Sequence, residues 1–78
     1  MTLELDLHGL TELDALKTLE RFIARAPKDC EQIIVIHGYY GGDALMKMVR
    51  DPNKLRSKRI LRRKLTKNPG ETVLILDV

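Results

Sequence analysis

Tryptophan is absent from this chain, and its 78 residues include one cysteine, one phenylalanine and two tyrosines. The lone Cys30 excludes an internal disulfide and a multi-cysteine zinc site, and it fits a reducing, cytoplasmic setting. No apolar run approaches the roughly 18 residues of a membrane span, and the N-terminus lacks a basic-then-apolar signal pattern. Membrane insertion and secretion are therefore disfavoured. Acids are missing from one long stretch: Lys47 to Lys67 holds ten Lys and Arg against a single Asp51.

With 44% hydrophobic and 32% charged residues the composition is that of a globular protein rather than a disordered one. The length suits one domain, residues 1–78, near the lower limit for a core without a staple. The net charge of +3 hides the basic block just described, because the remainder of the chain is mildly acidic. Such polarity points to a polyanionic partner, most simply nucleic acid. The competing reading is a solvated basic surface.

The segment "TLELDLH" alternates, with Leu3, Leu5 and Leu7 on one side and Glu4, Asp6 and His8 on the other. That period of two reads as a strand with one buried face. After Gly9, Thr11 and Asp14 resemble a capping box, and Leu16, Leu19, Phe22, Ile23 and Ala26 form the stripe of an amphipathic helix closed by Pro27. "QIIVIH" is apolar without alternation and is expected to be a central strand buried on both faces. A shorter helix over "GDALMKMVRD" stops at Pro52. "ETVLILDV" is a last strand. The run "KRILRRKLT" fits a strand or a helix by period alone; the strand is favoured, with Pro69 and Gly70 in a hairpin turn behind it. The expected fold class is α/β in the sense of a two-layer α+β sandwich: βαβαββ, a four-stranded mixed sheet with two helices on one face.

One frame occurs twice. "HGLTELDAL" from His8 and "HGYYGGDAL" from His37 align without a gap at a separation of 29 positions. Each copy is a strand end, a glycine and a helix start, so a βαβ crossover carries His8 and His37 to the carboxyl edge of parallel strands. That edge collects ligands in α/β folds, and a helix N-terminus favours a phosphate. The doubled frame therefore predicts a phosphate site built from two helix starts and two imidazoles.

At these residues the sequence resembles the small MutS-related (Smr) domain family. "LDLHG" at Leu5–Gly9 matches its first signature, and "IHGYYGGDAL" enters its second, a [T/H]-G-x-G loop. The resemblance covers nearly the whole chain. It implies the βαβαββ fold also found in the C-terminal domain of bacterial translation initiation factor three. It further implies nucleic-acid binding and, in several members, nicking or endoribonuclease activity. Carried over by motif position, the family's functional residues fall on Asp6 and His8 and on His37 and Gly38. Tyr40 stands where the loop motif has its second glycine, and Gly41 and Gly42 follow it; Tyr40 there blocks or reshapes a phosphate's approach.

The candidate catalytic set is Asp6, His8 and His37: a carboxylate orienting one imidazole, with the two imidazoles serving as general base and general acid on RNA without a metal. Glu4 and Asp6 offer the alternative of a Mg2+ held against a phosphate, on a weak ligand pattern; no metal site is assigned. Gly9, Gly38, Gly41 and Gly42 allow close backbone approach, and Tyr39 and Tyr40 offer faces for unpaired bases, one of the two expected inside and one out. Arg59, Arg62, Arg63 and Lys64 are the expected phosphate contacts. In a strand, Arg59 and Arg63 share one face and Arg62 and Lys64 the other. The expected function is nucleic-acid binding with endonuclease activity at the carboxyl edge, on RNA or DNA, structured or branched, with RNA favoured. The alternative is a non-catalytic adaptor for nucleic acid, the ribosome or a DNA-repair assembly. A small-molecule anion binder is a third reading that leaves the basic block idle.

Overall fold

The structure, a computed structural model, describes residues 1–39 and 42–78, and the expectations for Tyr40 and Gly41 lie outside the described residues. Alternation in the opening segment becomes strand β1, Thr2–Asp6, with Leu3 and Leu5 half-buried between exposed Thr2, Glu4 and Asp6. Helix α1 spans Glu12–Arg25. Thr11 Oγ1 accepts the Asp14 N–H at 3.2 Å, satisfying one of the donors that a first helical turn leaves free. The buried stripe of α1 is Ala15, Leu19 and Ile23. Fully burying one such Leu or Ile contributes roughly 1.5–3 kcal/mol. The helix gives way to extended backbone at Ala26, because the residue before a proline is pushed out of the helical region.

Strand β2 is Gln32–Ile36, helix α2 is Ala44–Arg50, strand β3 is Ile60–Leu65 and strand β4 is Glu71–Leu76. The sheet order is β1-β2-β4-β3, with β1 and β2 parallel and the other pairs antiparallel. This is the expected βαβαββ architecture, and the ambiguous basic run is a strand. Its hairpin closes on Asn68–Glu71: the Glu71 N–H reaches Asn68 O at 3.2 Å, and Asn68 Oδ1 accepts the Gly70 N–H at 2.8 Å. Pro69 and Gly70 are the central pair of that turn, as expected.

Register fixes which residues share a face. On the side toward the helices, Leu3, Ile33, Leu74 and Arg63 form one row of paired residues, and Leu5, Val35, Thr72 and Leu65 form the next. The open side carries the rows Thr2, Gln32, Ile75, Arg62 and Glu4, Ile34, Val73, Lys64, then Asp6, Ile36 and Glu71. The core lies between the first face and the helices, with Leu7, Leu19, Ile33, Val35, Met48, Leu55 and Leu74 buried. One expectation is corrected here. β2 is interior in strand order, but within it only Ile33 and Val35 are buried; Ile34 and Ile36, on the open side, are half-exposed.

Candidate functional site at the carboxyl edge of β1 and β2

The chain leaves β1 through Leu7, whose N–H bonds to Ile36 O at 2.7 Å, and turns at once. Leu10 N–H closes the turn onto Leu7 O at 3.2 Å, with Gly9 at φ 83°. A positive φ at the third position alone defines a type II turn, which favours glycine there. His8 occupies the second position and is held by its neighbour two residues back. Asp6 Oδ1 accepts both the His8 backbone N–H, at 3.0 Å, and the ring Nδ1–H, at 2.6 Å. These two hydrogen bonds, the ring's first, hold the Asp6 carboxyl below its ordinary range near 3.8. With Nδ1 as donor to Asp6, the neutral ring carries its lone pair on Nε2. The His8 side chain is 71% exposed, so the pair opens to solvent.

His37 is different. It is 4% exposed and faces the helices. Its Nδ1–H donates to Gly38 O at 2.8 Å, and its Nε2 lies 2.9 Å from Thr72 Oγ1. Arg50 Nε donates to the same Thr72 oxygen at 2.9 Å. The Gly38 carbonyl can only accept, so Nδ1 carries a proton; in the neutral ring Nε2 then accepts from the Thr72 hydroxyl, whose oxygen in turn accepts from Arg50. Burial, foremost, pulls the His37 pKa below the ordinary 6.5, and the Arg50 charge adds to the effect against the Gly38 carbonyl and Glu71.

The sheet therefore does not bring the two imidazoles together. The repeated frame is offset by 29 positions, but the β1–β2 register pairs Thr2 with Gln32, an offset of 30. Side chains alternate sides with each residue, so a difference of one sends matched positions to opposite faces. His8 lies beside Gly38 instead: a side chain at Gly38 would sit 3.5 Å from His8 Cβ. The expectation of paired imidazoles at one phosphate is corrected accordingly. The doubled helix start is also uneven. α1 has 14 residues and a threonine cap, whereas α2 has seven and no side-chain bond at its cap Asp43, whose carboxylate pairs with Lys47 at 3.1 Å.

The His37 and Gly38 N–H groups both donate to Gly70 O at 3.0 Å, so the hairpin turn packs against the start of the loop. Tyr39 and Gly42 are exposed in that loop. The basic residues divide by face. Arg59 reaches back to the end of α1, donating to Ile23 O and Ala26 O at 2.7 Å and to Pro27 O at 2.9 Å. Arg63 donates to Val49 O at 2.7 Å and Leu55 O at 2.6 Å, and burial lowers its pKa. Both arginines are thus held by backbone carbonyls on the helix side. Arg62 and Lys64 are exposed on the open side, the side of Glu4 and Asp6. Among the described residues the Lys and Arg ion pairs are Lys47–Asp43 and Lys54–Glu12, so Arg62 and Lys64 carry uncompensated charge.

Glu4 and Asp6 share the open face, but no group of three or more metal-ligating side chains occurs among the described residues. No helix of the described residues is long and apolar enough to cross a membrane. Two residues that sequence reasoning passed over, Thr72 and Arg50, complete the His37 chain. The available signal was a lone hydroxyl in the otherwise apolar "TVLIL".

Comparison with known proteins supplies the context for this edge. The family model described as the Smr domain matches residues 5–71. Among solved structures, the Smr domain of Thermus thermophilus MutS2 matches with a TM-score of 0.72 and 29% identity, over 96% of this chain and 98% of that one. No curated protein matches.

Proposed function

The chain belongs to the Smr domain family, and from that membership and the site geometry we propose that it binds nucleic acid across the open face of its sheet and cleaves it at Asp6 and His8. The observation that carries this reading is the 2.6 Å contact between Asp6 Oδ1 and His8 Nδ1, on the same face as unpaired Arg62 and Lys64. In this reading Arg62 and Lys64 hold phosphates and position the polymer without reading its sequence. Their strand lies three strand spacings from β1, roughly 14 Å. His8 Nε2, kept free by the Asp6 hydrogen bond, removes a proton from an attacking 2′-hydroxyl or water as that oxygen bonds to phosphorus; the bond from phosphorus to the leaving oxygen breaks, and the leaving oxygen takes its proton from water. Asp6 orients the ring and stabilises the imidazolium as it forms. His37 takes no part in the proton transfer and instead fixes the Gly38 carbonyl and the loop behind it.

A second reading, an adaptor that binds without cleaving, is favoured by a separate observation: only one imidazole is on the open face, so the leaving oxygen lacks a second titrating ring. A cleavage assay on labelled single-stranded and hairpin RNA, with matched DNA and with or without Mg2+, separates the two. Cleavage by the parent protein is expected to fall by at least about 100-fold in His8→Ala, the usual lower range for losing a general base. Cleavage undiminished in that variant would refute the catalytic reading. Binding without cleavage in the parent protein would establish the adaptor.

A further inference from the structure

The helix-side flank of β3 holds a concavity of about 480 Å³ that the Asp6–His8 edge does not use. Leu55 and Ile60 give it apolar wall, and its polar groups are Arg56, Ser57, Lys58 and Arg63. No acid lines it. Arg63 is clamped here by Val49 O and Leu55 O through Nε and Nη2. Its Nη1 has no protein partner, and since no buried side-chain nitrogen or oxygen among the described residues lacks one, Nη1 must reach solvent. Exposed Arg56 makes one such contact, Nε on Asn53 O at 3.2 Å, leaving both terminal nitrogens free. Ser57 Oγ accepts the Arg59 N–H at 3.1 Å and keeps its own proton to donate. Lys58 is exposed and makes no ion pair.

We infer that this concavity is a phosphate-binding site, distinct from the carboxyl edge, that takes a phosphate group through Arg63, Arg56, Lys58 and the Ser57 hydroxyl. The Arg63 guanidinium, already held in place by two backbone carbonyls, presents a planar donor edge with little further ordering, which suits a tetrahedral oxyanion. The partial burial of Arg63 has the same sense: a guanidinium drawn out of water beside other cations gains from an anion. Asp51 is the one carboxylate that acts on Arg63, and it lies outside the concavity's lining. The phosphate can be a free ion or a phosphodiester of a polynucleotide. Arg62 and Lys64 project from the other side of the same edge strand, so a polymer lying on the open face could continue over β3 into this site.

The test uses the whole chain, labelled with 15N, titrated first with inorganic phosphate against chloride at equal ionic strength and then with a short oligonucleotide. Saturable shifts are expected at the Ser57 and Lys58 amides and at Arg63 Nε. Arg56→Ala/Lys58→Ala, at two exposed positions, is expected to weaken phosphate binding about tenfold and to lower the salt slope of oligonucleotide binding by about 1–2, near one unit for each phosphate no longer neutralised. Shifts at these positions with phosphate but none with the oligonucleotide would uphold the site as one for free phosphate and leave the proposed function, which rests on the open face, untouched. Absence of saturable shifts with both probes, or shifts unchanged in the double variant, would overturn the inference.

Discussion

Replacing Thr72 with valine removes one oxygen and nearly nothing else, yet that oxygen is the middle of the Arg50–Thr72–His37 chain. His37 Nε2 would lose its donor inside a site that is 4% exposed. A buried acceptor left unsatisfied costs about 1–3 kcal/mol. Arg50 keeps a weaker contact to Glu71 O at 3.4 Å and is half-buried, so it adds little. The net expectation is about 2 kcal/mol of lost stability. For a domain of this size that is roughly 8–16 °C in Tm, at 4–8 °C per kcal/mol. Thr72→Ser keeps the hydroxyl and should lose less than half as much. Circular dichroism melts of the three proteins at neutral pH measure this directly. A Thr72→Val melt within about 2 °C of the parent, or an equal drop in Thr72→Ser, would refute the chain as a source of stability. The pH dependence has a definite sign. His37 has a lower pKa folded than unfolded, so between the two values the unfolded chain binds more protons and stability rises with pH. The protein should therefore lose stability as pH falls below about 6.5, the unfolded value. The same acid loss should persist in Thr72→Val, since burial is its first cause.

Three further outcomes follow from the division of basic residues and from the turns. Arg59→Ala should cost about 1–3 kcal/mol by releasing three carbonyls at the end of α1, and leave the salt dependence of oligonucleotide binding unchanged; paired chemical denaturation and binding isotherms check it. Arg62→Ala should behave oppositely, within about 0.5 kcal/mol of parental stability but with a salt slope lower by about 0.7–0.9. Gly38→Ala and Gly9→Ala should each cost about 1–2 kcal/mol, because both residues sit near φ +80° and neither added methyl meets a contact closer than 3.5 Å; a far larger loss in Gly38→Ala would mean that crowding against His8, not torsion, governs that position.

The order of elements was legible because local chemistry carries it. Leu3, Leu5 and Leu7 alternate, Thr11 and Pro27 bracket a helix, and Asn68–Gly70 can hardly be other than a turn. The Asp6–His8 pair was legible too, since two residues apart on a strand means one face. The fate of His37 was not. Motif spacing counts residues along the chain, whereas register is set by how the crossover helix packs, and a single residue between the two counts reverses a side chain. Nor could the sequence distinguish Arg59 and Arg63 from Arg62 and Lys64 beyond parity. The carbonyls that hold the first pair are those of Ile23, Ala26 and Pro27 at and just beyond the end of α1, and of Val49 in α2 and Leu55 after it, and long flexible side chains find such partners only in three dimensions. The half-open β2 was misread because an unbroken apolar run looks alike whether one face is covered or both.

The open face has an electrical gradient along its width. Glu4 and Asp6 line one margin and Lys64 and Arg62 the other; aliphatic Ile34, Ile36, Val73 and Ile75 lie between them, with Glu71 at the start of β4 as the one acid of the middle strands. A polyanion approaching it is drawn to the β3 margin and repelled from the β1 margin, so it experiences a torque as well as an attraction. Uniform backbone has no electrostatic reason to advance as far as His8. Under the proposed function, polymer that reaches that margin is brought there by its shape, at a free end or a bend, rather than by charge.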